Sequence, residues 1–290
     1  MELLEKIYNV ANTTMTEPTN FSGFHLACIG IVLILTVLGS LLLKNARDGV
    51  INGLTAFVWI VILLLEIYKQ ILFGLSLNDG VFSYDYAWYI FPFQFCSSPL
   101  YILPIIAFTK NEKLRNRAIA YMMTFSLFAG LAVFCYPNDV FVEAAGINIQ
   151  TMVHHGSQIL MGVIYGVRYR NKISLKFFFG GVRLFVVMVF IAMALNVGVY
   201  NVFLRLGIED TFNMFYISPY FSCTLPVLNK VWEMLPYPAF VCVYFFGFIL
   251  CALIIFSIFN GLTKGSREYA VLRKTKRLAY ENDCIFYYNM

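Results

Sequence analysis

Charge is the scarcest commodity in this 290-residue chain: 13% of residues are charged, against 60% hydrophobic. With a mean hydropathy of +0.73, that shortage excludes a soluble globular domain and points to a chain that crosses a membrane several times. Histidine is scarcer still, at His25, His154 and His155, too few for a membrane di-iron oxygenase. The last apolar run has no lysine to form a retinal Schiff base, and Gly156-Ser157-Gln158 does not supply the Gly-x-Ser-Gly of a rhomboid-type protease. No glycine-rich phosphate loop and no zinc-spaced cysteine set occurs, so neither metal nor cofactor is expected. A basic, small-residue-terminated secretory leader is missing too, because Glu2, Glu5 and Glu17 precede the first apolar run; that run reads as a retained helix.

What remains is hydrophobic sequence in long runs. Seven are long enough to cross a bilayer as helices: 24–43, 52–73, 87–108, 116–134, 148–169, 183–204 and 239–259. No repeat or low-complexity stretch separates them. The expected fold is therefore an all-α polytopic membrane protein, a seven-helix bundle. Residues 1–23 form an extracytoplasmic segment, 24–259 the membrane domain and 260–290 a basic cytoplasmic tail. The lysines and arginines set the orientation. Lys44 and Arg47, then Lys110 to Arg117, then Arg168 to Lys176 and finally Lys264 to Arg277 fall after alternate runs. The intervening loops 74–86 and 135–147 carry none. The positive-inside rule puts the N-terminus outside and the C-terminus in the cytoplasm, as expected of a multi-pass cell-membrane protein. It also explains the net charge of +5 without nucleic acid. The outer loop 205–238, rich in aromatics and proline, has the composition of a short interfacial helix or lid with Trp232 at the headgroups.

Polar residues inside membrane runs are costly and generally face the bundle interior. On a rise of ~1.5 Å per residue, Glu66, Lys69, Cys96, His154, His155, Asn196 and Asn201 fall toward the outer half. That clustering suggests one outward-facing polar pocket. Each has a plainer reading. Glu66 and Lys69 are three apart and can neutralise each other, the asparagines can be interhelical hydrogen-bond glue, and a lone cysteine is a small buried hydrophobe. Adjacent histidines point about 100° apart on a helix, so one of His154 and His155 faces the pocket. Cys96 stands out because Pro92 and Pro99 bracket it, and proline inside a helix breaks the hydrogen-bond ladder. Irregular backbone at membrane depth survives only where protein or a water-filled cavity covers it. A thiol beside an imidazole suits acyl transfer: sulfur takes the acyl group as a thioester and histidine moves the protons. The other class that fits is a non-catalytic uptake component or receptor, whose pocket would draw on Glu66, Lys69 and the asparagines. Cys135 and Cys223 fall on the outer side, where a disulfide or two free thiols are both open.

Four short motifs, in matching order and spacing, resemble those of the YwaF-like integral membrane proteins. Phe91-Pro92-Phe93-Gln94-Phe95-Cys96 is similar to the family's Leu-Pro-Leu-His-Leu-Cys, and His155-Gly156 with the apolar helix to Tyr169-Arg170 to its Ser-His-Gly helix. Asn201-Val202-Phe203-Leu204 resembles its Asn-Tyr-Met-Phe-Leu, and Leu235-Pro236-Tyr237-Pro238 the Gly-Pro-Trp-Pro that opens the last helix. Eukaryotic relatives in that family include a cysteine-dependent phospholipid acyltransferase. The resemblance implies Cys96 as acyl-accepting nucleophile, His155 as its base with His154 in reserve, Gln94, Glu66, Lys69, Asn196 and Asn201 around a membrane-lipid substrate. Gln94 replaces the family histidine and cannot take a proton, so a base at that position is lost.

Overall fold

The computed structural model describes residues 2–288, with side chains through Thr263. It is mostly helical, and five helices are long and apolar enough to cross a membrane: Gly23–Leu43, Asp48–Gly74, Glu112–Cys135, Leu175–Leu206 and Tyr237–Thr263. In chain order the helices are α1 Glu2–Ala11, α2 Gly23–Leu43, α3 Asp48–Gly74, α4 Pro99–Phe108, α5 Glu112–Tyr121, α6 Leu127–Cys135, α7 Ala145–Arg168, α8 Leu175–Leu206, α9 Leu228–Met234 and α10 Tyr237–Tyr288. A π-helical turn, Met122–Ser126, joins α5 to α6 without a break.

Two of the seven expected spans differ from a plain apolar helix. Residues 87–108 do not form one helix. Two 3-10 turns, Trp88–Ile90 and Phe95–Ser97, lead into the ten-residue α4, which Pro99 opens at its first turn. Pro92 and Pro99 explain this, since each removes a donor and Pro99 is best accommodated in the first turn of a helix. The second is α7, which is 24 residues long but too polar to count as a span on composition. Its burial explains why. Sixteen of its residues are buried, among them Asn148, Gln150, Thr151, His154, His155 and Gln158. α7 is a central helix, shielded from the surroundings by its neighbours, so it can carry polar side chains that a lipid-facing helix cannot. By contrast α2 keeps only His25 and Thr36 buried and exposes leucines, isoleucines and valines along its length.

The core is aromatic. Phe185 on α8 stacks on Phe125 of the π turn at 4.6 Å and on Phe245 of α10 at 5.6 Å, and meets Phe95 edge-on at 5.9 Å. α5 and α8 run parallel and very close. A Cβ on Gly181 would sit 3.0 Å from the backbone of Ala120 and Tyr121, so only glycine permits that approach.

The all-helical expectation needs one correction among the described residues. A two-stranded antiparallel hairpin, β1 Leu75–Asn78 and β2 Val81–Tyr84, follows α3. Asp79 and Gly80 both take positive φ (51° and 74°), the backbone that a two-residue hairpin loop needs. α1 lies against it, with Tyr8 edge-on to Phe82 at 5.7 Å. The 205–238 stretch holds a 3-10 turn, Met214–Tyr216, and the seven-residue α9. Trp232 on α9 packs on Phe240 of α10 at 4.9 Å. Of the basic tail, the backbone continues α10 to Tyr288, and its side chains from Arg267 to Arg277 lie outside the described residues.

Candidate functional site

The unwound turn Phe95–Ser97 sets Cys96 against α7. Its carbonyl oxygen, freed from any helical ladder, receives Gln158 Nε2 at 2.5 Å and contacts His154 Nε2 at 2.9 Å. Gln158 and His154 are four residues apart, so both lie on one face of α7. His155 turns aside, its Nδ1 contacting Thr151 O at 2.8 Å, and its ring lies edge-on to His154 at 5.4 Å.

These partners fix the tautomers. A carbonyl oxygen can only accept, so the nitrogen facing it carries the proton. His154 is then protonated at Nε2 and His155 at Nδ1. The other nitrogen of each ring, His154 Nδ1 and His155 Nε2, is buried and has no hydrogen-bond partner. Each presents an unused lone pair. Buried polar atoms are overwhelmingly paired, so two such atoms on adjacent residues are a feature to explain. Cys96 itself is flanked by buried Phe95 and Ser97 yet keeps accessible surface. Gln158 Oε1 and the hydroxyls of Ser126 and Tyr244 are also buried without partners, while the Ser98 and Tyr121 hydroxyls face each other. Ser126 ends the π turn, a distortion that frequently marks functional positions.

A charged group stands beside this cluster. Glu66 on α3 is 4% exposed and pairs with Lys69 Nζ at 2.9 Å, while Gln70 and Gln150 donate to its carboxylate at 2.7 and 3.4 Å. Tyr86 in turn donates to Gln70 Oε1 at 2.6 Å. Burial, with Tyr84 and Glu66 nearby, pushes the Tyr86 phenol up to about 12, so it remains a donor at neutral pH.

Two candidates serve the backbone. Gln94 donates from Nε2 to Asn213 O at 3.0 Å and accepts from Phe215 N at 2.9 Å. Asn196, fully buried, donates to Met214 O at 3.0 Å and accepts from Met214 N at 2.7 Å. Together they clamp the turn 213–216, where Phe215 and Tyr216 both adopt positive φ. Asn201 is exposed and bonds only its own helix, to Val197 O at 2.7 Å; the structure does not bring it to the cluster. Cys135 is exposed and Cys223 buried, both free thiols.

Sequence reasoning missed Gln158, Gln150, Ser98, Tyr121 and Tyr244. Gln158 had a readable signal, a carboxamide one turn after His154 in the same run. The tyrosines had none, because a tyrosine near a membrane-span end reads equally well as an interfacial anchor.

Beside the cluster, an apolar groove of about 420 Å3 runs between α2, α3 and α7, passing Val153, Gly156 and Ser157. Exposed Ile31, Leu35 and Phe57 form its open side.

The chain is thus an integral membrane protein: apolar helices around a central polar helix, with a cysteine on unwound backbone whose carbonyl meets His154 of that helix. It belongs to the TMEM164 family, whose family model matches residues 20–260. No curated protein and no solved structure matches it.

Proposed function

We propose that the protein is a lipid-modifying acyltransferase of the cell membrane, with Cys96 as nucleophile and the α7 histidines as base. The observation that carries this reading is His154, held on the Cys96 carbonyl through Nε2, together with the unpartnered ring nitrogens left on it and on the adjacent His155. A base needs a free lone pair, and one backbone carbonyl holds each ring in the tautomer that provides one. In the first step a histidine takes the thiol proton and Sγ attacks a lipid ester carbonyl. The C–S bond forms, the ester C–O bond breaks, and the histidine returns the proton to the leaving alkoxide. In the second step an acceptor hydroxyl attacks the thioester, its proton passes to the histidine, and the thiolate leaves and is reprotonated. His155 is the base implied by the likeness to YwaF-like proteins, and His154 is the ring bonded to Cys96's own peptide. The groove between α2, α3 and α7 suits an acyl chain, being apolar and open on its exposed side.

The same reading takes the chain across the membrane seven times, N-terminus outside. α7 supports it, since 24 residues span about 36 Å against a hydrocarbon core of about 30 Å and its polar face is covered by protein. Residues 87–108 supply the remaining crossing as irregular backbone followed by α4, with 24–259 as the membrane domain and α9 near the outer surface.

The second reading, a non-catalytic binding protein, rests on Lys69, whose ammonium has three donors and one carboxylate partner. Intact-protein mass spectrometry after incubation with phospholipid vesicles separates the two. Wild type should gain a fatty-acyl mass that hydroxylamine releases. Cys96→Ala should not, and His154→Gln and His155→Gln should form it more slowly according to which ring is the base. No adduct on wild type, with Cys96 alkylating no faster than Cys251, refutes the acyltransferase and leaves the binding protein.

A further inference from the structure

A second concavity, of about 270 Å3, opens where α5 and α8 begin. Five of its nine lining residues are cationic: Lys113, Arg117, Lys172, Lys176 and Arg183. Among the described residues one carboxylate serves them, Glu112, 3.8 Å from Lys172 and also 3.8 Å from Arg115, which lies outside the pocket. Lys113, Arg117, Lys176 and Arg183 have no carboxylate partner among the described residues.

Five cations gathered in so small a space repel one another, and alternate-loop topology explains only that cations lie at this end, not that they converge. The fold brings them together. Arg117 lies across α8 because residue 180 is glycine, where a Cβ would meet Arg117 Cγ at 3.1 Å. α5 and α8 run parallel, so the positive ends of both helix dipoles face the same end. Asn116 and Ser174 add neutral hydrogen-bonding groups to the wall. α5 and α8 both belong to membrane-crossing helices, and the pocket lies at their ends, where headgroups would sit.

We propose that this pocket binds a phosphate-bearing anion, with the headgroup of an anionic membrane lipid as its source. The site is distinct from the Cys96 cluster and does not rest on the acyltransferase reading. Gly130, which packs on His155 O, is thirteen residues past Arg117 on the same helix, or ~20 Å. Basic pockets between membrane helices on the cytoplasmic side are a recurrent way of holding such headgroups.

The test uses the purified full chain in neutral detergent, reading the thermal midpoint during titration with short-chain phosphatidylglycerol, short-chain phosphatidylcholine or inorganic pyrophosphate. Phosphatidylglycerol should stabilise and phosphatidylcholine should not. Arg117→Gln/Lys176→Gln should weaken the phosphatidylglycerol response about twenty-fivefold, at about fivefold per cation. The charge-matched Lys44→Gln/Arg47→Gln, in another basic loop, should leave it unchanged. If the first double variant does not fold, Lys113→Gln/Arg183→Gln, both exposed, replaces it. A response to pyrophosphate alone keeps the phosphate site and overturns the lipid source. Equal responses to the two lipids, or equal losses in the pocket and control variants, overturn the site.

Discussion

Replacing Asn196 with leucine tests the idea that Asn196 and Gln94 are held for the backbone and not for a ligand. Asn196 is fully buried and its carboxamide meets both polar groups of one peptide residue, Met214. Leucine has nearly the same volume but neither donor nor acceptor, so the Met214 N–H loses its partner and the Met214 C=O keeps only the 3.4 Å bond from Ile217 N. At about 1–3 kcal/mol for a stranded buried group, the loss should be about 2 kcal/mol. Gln94→Leu strands Phe215 N in the same turn and leaves Asn213 O to Tyr216 N alone, and should cost about 1 kcal/mol, since Gln94 is only half-buried. Both side chains restrain one segment, in which Phe215 and Tyr216 sit at φ 58° and 57°, a left-handed backbone that aromatic residues adopt only under restraint. Once either clamp is lost the turn relaxes, and the second has less to hold. The double variant should therefore fall short of the sum by about 1 kcal/mol. Reversible unfolding in mixed micelles reads all three values. An Asn196→Leu loss below about 0.5 kcal/mol, within the range of an ordinary surface change, or strict additivity in the double variant, would refute the clamp.

Gly130→Ala places a Cβ 2.7 Å from His155 O and 2.9 Å from Gln158 Cβ. It should cost about 1–3 kcal/mol as overpacking and lower Cys96 alkylation rates, whereas Gly198→Ala, in open space, should do neither. Arg115, 4% exposed, donates to Asn52 Oδ1 at 2.6 Å and Tyr169 OH at 3.0 Å. Arg115→Lys should cost about 2 kcal/mol in thermal or denaturant unfolding, because an ammonium cannot reproduce the planar fork. Asn201→Ala should leave both stability, within about 0.5 kcal/mol, and any lipid-dependent activity unchanged; a clear loss of activity would return Asn201 to the site.

The apolar runs were legible because lipid-facing helices need no partner to declare themselves. The run 24–43 corresponds to α2 at Gly23–Leu43, and 116–134 lies inside Glu112–Cys135. The proline-bracketed disruption at Cys96 was legible for the same local reason. What escaped depends on distant contacts. Nothing in Met122–Ser126 announces a π turn, and nothing near Arg115 tells that Asn52 and Tyr169, 63 and 54 residues away in sequence, will take its guanidinium. The hairpin escaped by being read as plain loop, although Asn78-Asp79-Gly80 carries a turn signal.

The structure also offers a criterion that sequence lacked for sorting intramembrane polar residues. Gln94, Asn196 and Glu66 have every functional atom engaged, by backbone in the first two cases and by Lys69, Gln70 and Gln150 in the third. Such groups stabilise a shape and leave nothing to offer a substrate. His154, His155 and Gln158 are different: each is anchored through one atom and stranded at the other. In a bundle interior a stranded acceptor costs about 1–3 kcal/mol, and three of them within one turn and a half of α7 would be a heavy cost for a purely structural helix. The cost makes sense if the open atoms meet a proton or a polar substrate during turnover. On that reasoning Gln94, standing where the YwaF-like motif has histidine, would leave the proposed acyl transfer intact. Its carboxamide serves the turn at 213–216, and the unpartnered lone pairs are on α7.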